Sequence, residues 1–166
     1  MRNLYERIIE YNGEKLYDDI LIPWINNNNY KEYLKNIEGL LLENKDIAIE
    51  DSWELYALSR VLDIMTLRFQ LNNKADGNNW LGPELKLKEY ENFINLLGLT
   101  LKENIEYNSF YCEIINAIDG NDDFKIIENY HPPIILGNLL IKKGGVKITL
   151  NTQKYNLSII NNSTLY

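Results

Sequence analysis

Apolar side chains recur at helical spacing over much of the chain. Tyr30, Tyr33, Leu34, Ile37 and Leu41 follow the i, i+3, i+4, i+7, i+11 pattern of one buried helix face. From Trp53 to Leu71 the chain is apolar almost all round, with a narrow polar stripe at Ser59, Asp63, Thr66 and Gln70. That pattern predicts a central helix covered by neighbours on most sides. Ser52, beside Asp51, stands where its N-cap belongs. A third helix is punctuated by Gly82-Pro83 before it and Gly98 just past its end, with Tyr90, Phe93, Ile94 and Leu97 as its stripe.

Thr100 and Glu103 have the spacing of a capping box for a further short helix. Residues 109–118 place Phe110, Ile114 and Ala117 on one helical face. Segment 134–143 carries helix start and stop signals in Pro132-Pro133 and Gly144, but the internal Gly137 leaves helix and strand both open. After Gly145 the period becomes two. Val146, Ile148 and Leu150, then Tyr155, Leu157 and Ile159, alternate with polar residues, which predicts a hairpin over about 146–160. The breaks fall at Asn26–Asn29, at residues 72–79 and at residues 119–123. The expected architecture is mainly α. It is one domain over 1–166, a bundle helical over 1–143 with a central apolar helix and a small C-terminal hairpin.

Composition narrows the functions. The 166 residues, 45% hydrophobic and 25% charged, suit one folded domain. One Cys excludes an internal disulfide and one His excludes a multi-histidine metal site. No apolar run approaches the length of a membrane span or a signal h-region, so the expected address is the cytoplasm. About two dozen Asn, with many Ile and Lys, fit the codon bias of an AT-rich genome.

Organised chemistry is sparse. Cys112 with His131 could form a thiolate–imidazolium pair, and Glu113 with His131 an acid–base pair, but neither spacing matches a nucleophile motif. The Asp-Gly-Asn loops fail the calcium-loop test. Lys74 and Pro83 fall at ligand positions of one, and Phe124 and Tyr130 at the Gly and Glu positions of the other. Gly144-Gly145 lacks the phosphate-loop pattern. The expectation is therefore no catalytic residue, no cofactor and no metal.

Charge points to a partner instead. The net charge of -7 is a poor match for direct nucleic-acid binding, which needs clustered cations. Acidic residues gather at Glu38, Glu43, Asp46, Glu50, Asp51 and Glu54, and again at Asp119, Asp122, Asp123 and Glu128. A surface that meets a basic protein would use such groups to steer association, and the 12 Tyr and 3 Trp could supply anchors. The candidate partner-binding residues are Glu43, Asp46, Glu50, Asp51, Glu54, Asp119, Asp122 and Asp123.

Three stretches carry a resemblance. Tyr107-Asn108-Ser109-Phe110-Tyr111-Cys112-Glu113-Ile114 is similar to a Phe-His-Pro-Phe-Tyr-His-Glu-Ile motif. The segment from Gly137 to Val146 is similar to a Gly-Asp-Leu-Leu…Arg-Ala-Gly-Val segment, and Gly82-Pro83-Glu84-Leu85 opens the region. Together, over about residues 80–150, they resemble immunity proteins of contact-dependent growth inhibition and related polymorphic toxin systems. Asn108 and Cys112 replace both histidines of the first motif, so no histidine chemistry transfers. The resemblance implies a cytoplasmic inhibitor, monomeric or weakly dimeric. It would cover the active site or substrate entrance of a cognate toxin C-terminal domain, without touching nucleic acid or membrane. The toxin's activity does not follow from the resemblance; it is the acidic balance of the chain that favours a basic nuclease. The alternatives are a small helical enzyme using Glu113 and His131, or a non-enzymatic adaptor.

Overall fold

The computed structural model describes residues 1–70, 81–103 and 105–162. The expected break at 72–79 and the end of the apolar segment at Leu71 lie outside the described residues. The first half is helical: α1 (Arg2–Glu10), a π-helical turn (Tyr17–Leu21) leading into α2 (Ile22–Asn27), α3 (Tyr30–Leu42), α4 (Ile49–Thr66) and α5 (Leu87–Leu97). Strands then take over: β1 (Thr100–Leu101), β2 (Cys112–Asp119), β3 (Lys125–His131), β4 (Ile134–Leu136), β5 (Leu139–Lys142) and β6 (Gly144–Leu150), before α6 (Leu157–Asn162).

The fold is therefore mixed α/β rather than a mainly α bundle. The described strands form two three-stranded sheets, ordered β1-β4-β5 and β2-β6-β3. Residues 1–143 are not continuously helical, and 146–160 is not a hairpin. β6 is instead the central strand of its sheet, parallel to β2 and antiparallel to β3. Residues 157–162 form a helix because the Asn156 side chain accepts from the backbone N–H groups of Ser158 and Ile159, an N-cap that overrides the alternation.

The helices predicted over 109–118 and at Thr100 are strands, and segment 134–143 is the β4-β5 hairpin. Its two-residue turn places Gly137 at φ +59°, where a side chain would be strained. The turn is pinned to α3. Gly137 N–H donates to Glu38, and the Asn138 amide donates to the Leu41 carbonyl at 3.0 Å.

Two further corrections concern helix starts. α4 begins at Ile49, with Ala48 as its cap; Ser52 lies inside the helix and its hydroxyl donates back to the Ala48 carbonyl. α5 begins at Leu87, so Pro83 precedes it rather than opening its first turn. Gly98 does adopt the expected left-handed cap, at φ +80°.

Two apolar clusters hold the chain together. The larger packs Leu4, Ile8, Leu34, Leu58, Leu62, Phe93 and Ile94 against Ile134 and Leu136. The smaller lies under the second sheet, where Cys112, Ala117, Val146, Ile148 and Leu150 meet Tyr155, Leu157 and Ile160. The free edge of β2 is met by α6. Ala117 donates its N–H to the Asn161 side-chain oxygen at 2.7 Å, and the Asn161 amide donates to the Ala117 carbonyl at 3.0 Å.

Candidate functional site

The corner between α3 and α4 gathers the first acidic group. α3 ends through Asn44 in the left-handed region, φ 54°, which lets Lys45 N–H reach the Leu40 carbonyl and turns the chain outward. α4 then starts with Glu50 and Asp51 in its first turn, where carboxylates suit the positive end of the helix dipole.

One face of α4 is buried through Leu55, Leu58, Val61, Leu62 and Met65. Another carries Ile49, Trp53 and Tyr56 at i, i+4 and i+7, and these are 57%, 65% and 66% exposed. Leu42, at the end of α3, is exposed as well. α4 is thus central over its second half only. Trp53, expected in the protected core, stands in solvent.

The five acidic residues expected here divide into two kinds. Asp51 accepts from the Tyr33 hydroxyl at 2.8 Å, and Glu54 accepts from the Met1 amino group. Both face inward, beside an aromatic run in which Trp24, Tyr30 and Tyr33 follow one another at 5.3 and 5.2 Å. The Tyr30 hydroxyl is buried without a hydrogen-bond partner; burial first, then the Glu54 charge, push its pKa far up. Tyr33 is pushed up too, by burial and then by its bond to Asp51. Glu43, Asp46 and Glu50 face solvent. Glu43 pairs with Lys45, whereas Asp46 and Glu50 have no ion-pair partner among the described residues.

The second acidic group holds a turn. Asp119 accepts from the Thr152 hydroxyl at 2.9 Å and from its backbone N–H. Asp123 accepts from Asn151 N–H at 3.0 Å and from Lys154 at 2.9 Å; the lysine bond, then the backbone bond, hold its carboxyl below the usual range. Asp122 pairs with Lys125, and Glu128 lies 3.9 Å from Lys147. These carboxylates fasten the β2-β3 turn and β3 to the second sheet and its 151–154 turn.

Glu113 and His131 share one row of the second sheet, both opposite Gly145 on β6. No hydrogen bond joins them. The imidazole is 1% exposed, and its Nδ1 accepts from Gly145 N–H at 3.3 Å. The ring occupies the space that a side chain at 145 would fill, since a Cβ there would lie 2.7 Å from Nε2. Nε2 has no partner. Burial, then the charge of Lys142, lower the His131 pKa to about 3, so the ring is neutral at physiological pH. Such a group is a poor general acid or base there. Cys112 is buried in the second apolar cluster.

Elsewhere a hollow of about 550 Å³ is lined by Asn26–Asn29 with Lys31 and Leu96. Among the described residues no group of three His, Cys, Asp or Glu could hold a metal ion, and no helix is long and apolar enough to cross a membrane. No family model, curated protein or solved structure matches the chain.

Sequence patterning located the acids of the α3–α4 corner and missed the exposed stripe beside them. The signal was present. A helix apolar on every face, yet opening with Glu50 and Asp51, has more apolar surface than one core face takes up.

Proposed function

We propose that this chain is an immunity-type protein, which binds a basic toxin domain, a nuclease, and neutralises it by covering its active site or substrate entrance in the cytoplasm of the producing cell. One observation carries the reading: Asp46 and Glu50, exposed and without an ion-pair partner among the described residues, lie in the same 46–56 stretch that opens α4 and carries the exposed Trp53 and Tyr56. Free carboxylates steer a cationic partner, and aromatics supply contact energy once it arrives. The buried, neutral His131, unbonded to Glu113, gives the acid–base enzyme reading no comparable support.

The test is inhibition of the toxin domain encoded beside this chain's gene. The expected result is loss of nuclease activity at one equivalent, with the inhibitor recovered chemically unchanged. Nuclease activity undiminished by a large excess, with no complex on gel filtration, would overturn the proposal.

A further inference from the structure

We infer that the Ile49–Trp53–Tyr56 face of α4 is the docking face, and that its occupant is a cationic protein surface with guanidinium groups around an apolar recess. The inference rests on the binding reading above and narrows it to one face and one partner chemistry.

The stripe sets three large side chains in a row at the start of a helix whose opposite face is fixed in the core. The helix fixes their backbone positions before any partner arrives, and Trp and Tyr lose little rotamer freedom on contact. Glu50, next to Ile49 and three residues before Trp53 on the helix, and Asp46, just before the helix begins, supply exposed negative charge with no ion-pair partner among the described residues. Guanidinium matches this combination better than ammonium does, because it stacks flat on an aromatic ring while its N–H groups bond a carboxylate. Nucleic acid and anionic lipid would both meet the carboxylates with like charge. A second copy docking symmetrically would bring Asp46 and Glu50 toward their own equivalents. The acids at 119–123 belong to the end of β2 and the turn after it rather than to α4, and each is bonded within the second sheet and its turns.

Surface-plasmon kinetics against a catalytically inactive form of the adjacent toxin domain test it. The variants are Trp53→Ala, Tyr56→Ala and, as a control in the other acidic group, Asp122→Lys. Trp53→Ala and Tyr56→Ala should each speed dissociation by about thirtyfold, the loss typical of an aromatic anchor, with association within about twofold of wild type. Asp122→Lys should leave both rates within about twofold. Tight wild-type binding that neither aromatic substitution weakens overturns the inference and leaves the binding reading standing. No binding by the wild type overturns that reading and the inference with it. A wild-type dimer in sedimentation that Trp53→Ala converts to monomer gives the face to a second copy, and overturns the inference too.

Discussion

Lys142 Nζ lies 2.7 Å from Asp63 Oδ1, so the end of β5 is tied to α4 by an ion pair whose lysine side chain is 7% exposed. Arg60 bonds the other oxygen of Asp63 at 3.0 Å. The two partners are therefore unequal. Asp63→Ala strands a buried ammonium and should cost about 1–3 kcal/mol, reduced from the fully buried case because Asp63 is itself partly exposed. Lys142→Met leaves Asp63 with Arg60 and should fall within about 1 kcal/mol of wild type. Urea denaturation of both variants checks the asymmetry.

The core of α4 should be the least forgiving part of the chain. Leu62 is fully buried and Ile64 nearly so. Leu62→Ala and Ile64→Ala should each cost about 2–5 kcal/mol, from lost transfer energy and the cavity left behind. Trp53→Ala, on the same helix but in solvent, should cost under about 0.5 kcal/mol. Chemical denaturation of the three variants separates the buried face from the exposed one.

His131 gives stability an acid dependence of known sign. Its imidazole titrates near 3 in the folded chain and near 6.5 when unfolded. Above 6.5 neither state holds the proton, so this residue adds no slope. Between 6.5 and 3 the unfolded chain binds a proton that the folded chain refuses, and stability falls by about 1.4 kcal/mol per pH unit on its account. His131→Gln, which keeps an acceptor for Gly145 N–H, should flatten that limb while the carboxylate contribution remains. Denaturation midpoints at several pH values from 7 down to 4 give the comparison.

Gly145 should resist substitution for the same geometric reason. A Cβ there would press on Nε2 of a ring that is 1% exposed, and would meet Ile115 Cγ1 at 3.1 Å as well, so Gly145→Ala should cost about 1–3 kcal/mol. His131→Ala in the same chain should recover part of that loss. A double-mutant cycle measures the coupling.

How far this architecture is legible in the sequence depends on whether its periods run unbroken. In α3 and α5 they do. Tyr30, Leu34 and Ile37, and then Tyr90, Phe93, Ile94 and Leu97, are buried as their spacing predicts. In β2 the pairing slips between Ile114 and Asn116, so the buried positions change from even to odd numbers, Cys112 and then Ala117. That bulge lets Phe110, Ile114 and Ala117 imitate a helix. β3 slips twice, which removes its alternation as well. The candidate site was half legible. Charge clustering found Asp46 and Glu50, but it could not separate them from Asp51, Glu54, Asp119 and Asp123, whose partners are distant in sequence.

On the proposed reading, association with a basic toxin domain should slow as salt rises, while dissociation changes little, because exposed charges act at a distance and are screened beyond ~8 Å at physiological ionic strength. Asp46→Lys with Glu50→Lys should slow association and flatten its salt dependence. Stopped-flow mixing at several ionic strengths is the measurement. An association rate indifferent to salt in the wild type would remove electrostatic steering from the mechanism.

The two bonds between Asn161 and Ala117 need an amide, which both donates and accepts. Deamidation to aspartate keeps the acceptor for Ala117 N–H and turns the donor into a carboxylate oxygen facing the Ala117 carbonyl. Ageing at this single residue would therefore loosen α6 and lay bare a stretch of β2 able to pair with a strand from another molecule. Stored protein should accumulate, in step with the acidic form at position 161, species that associate through an edge the fresh protein keeps closed.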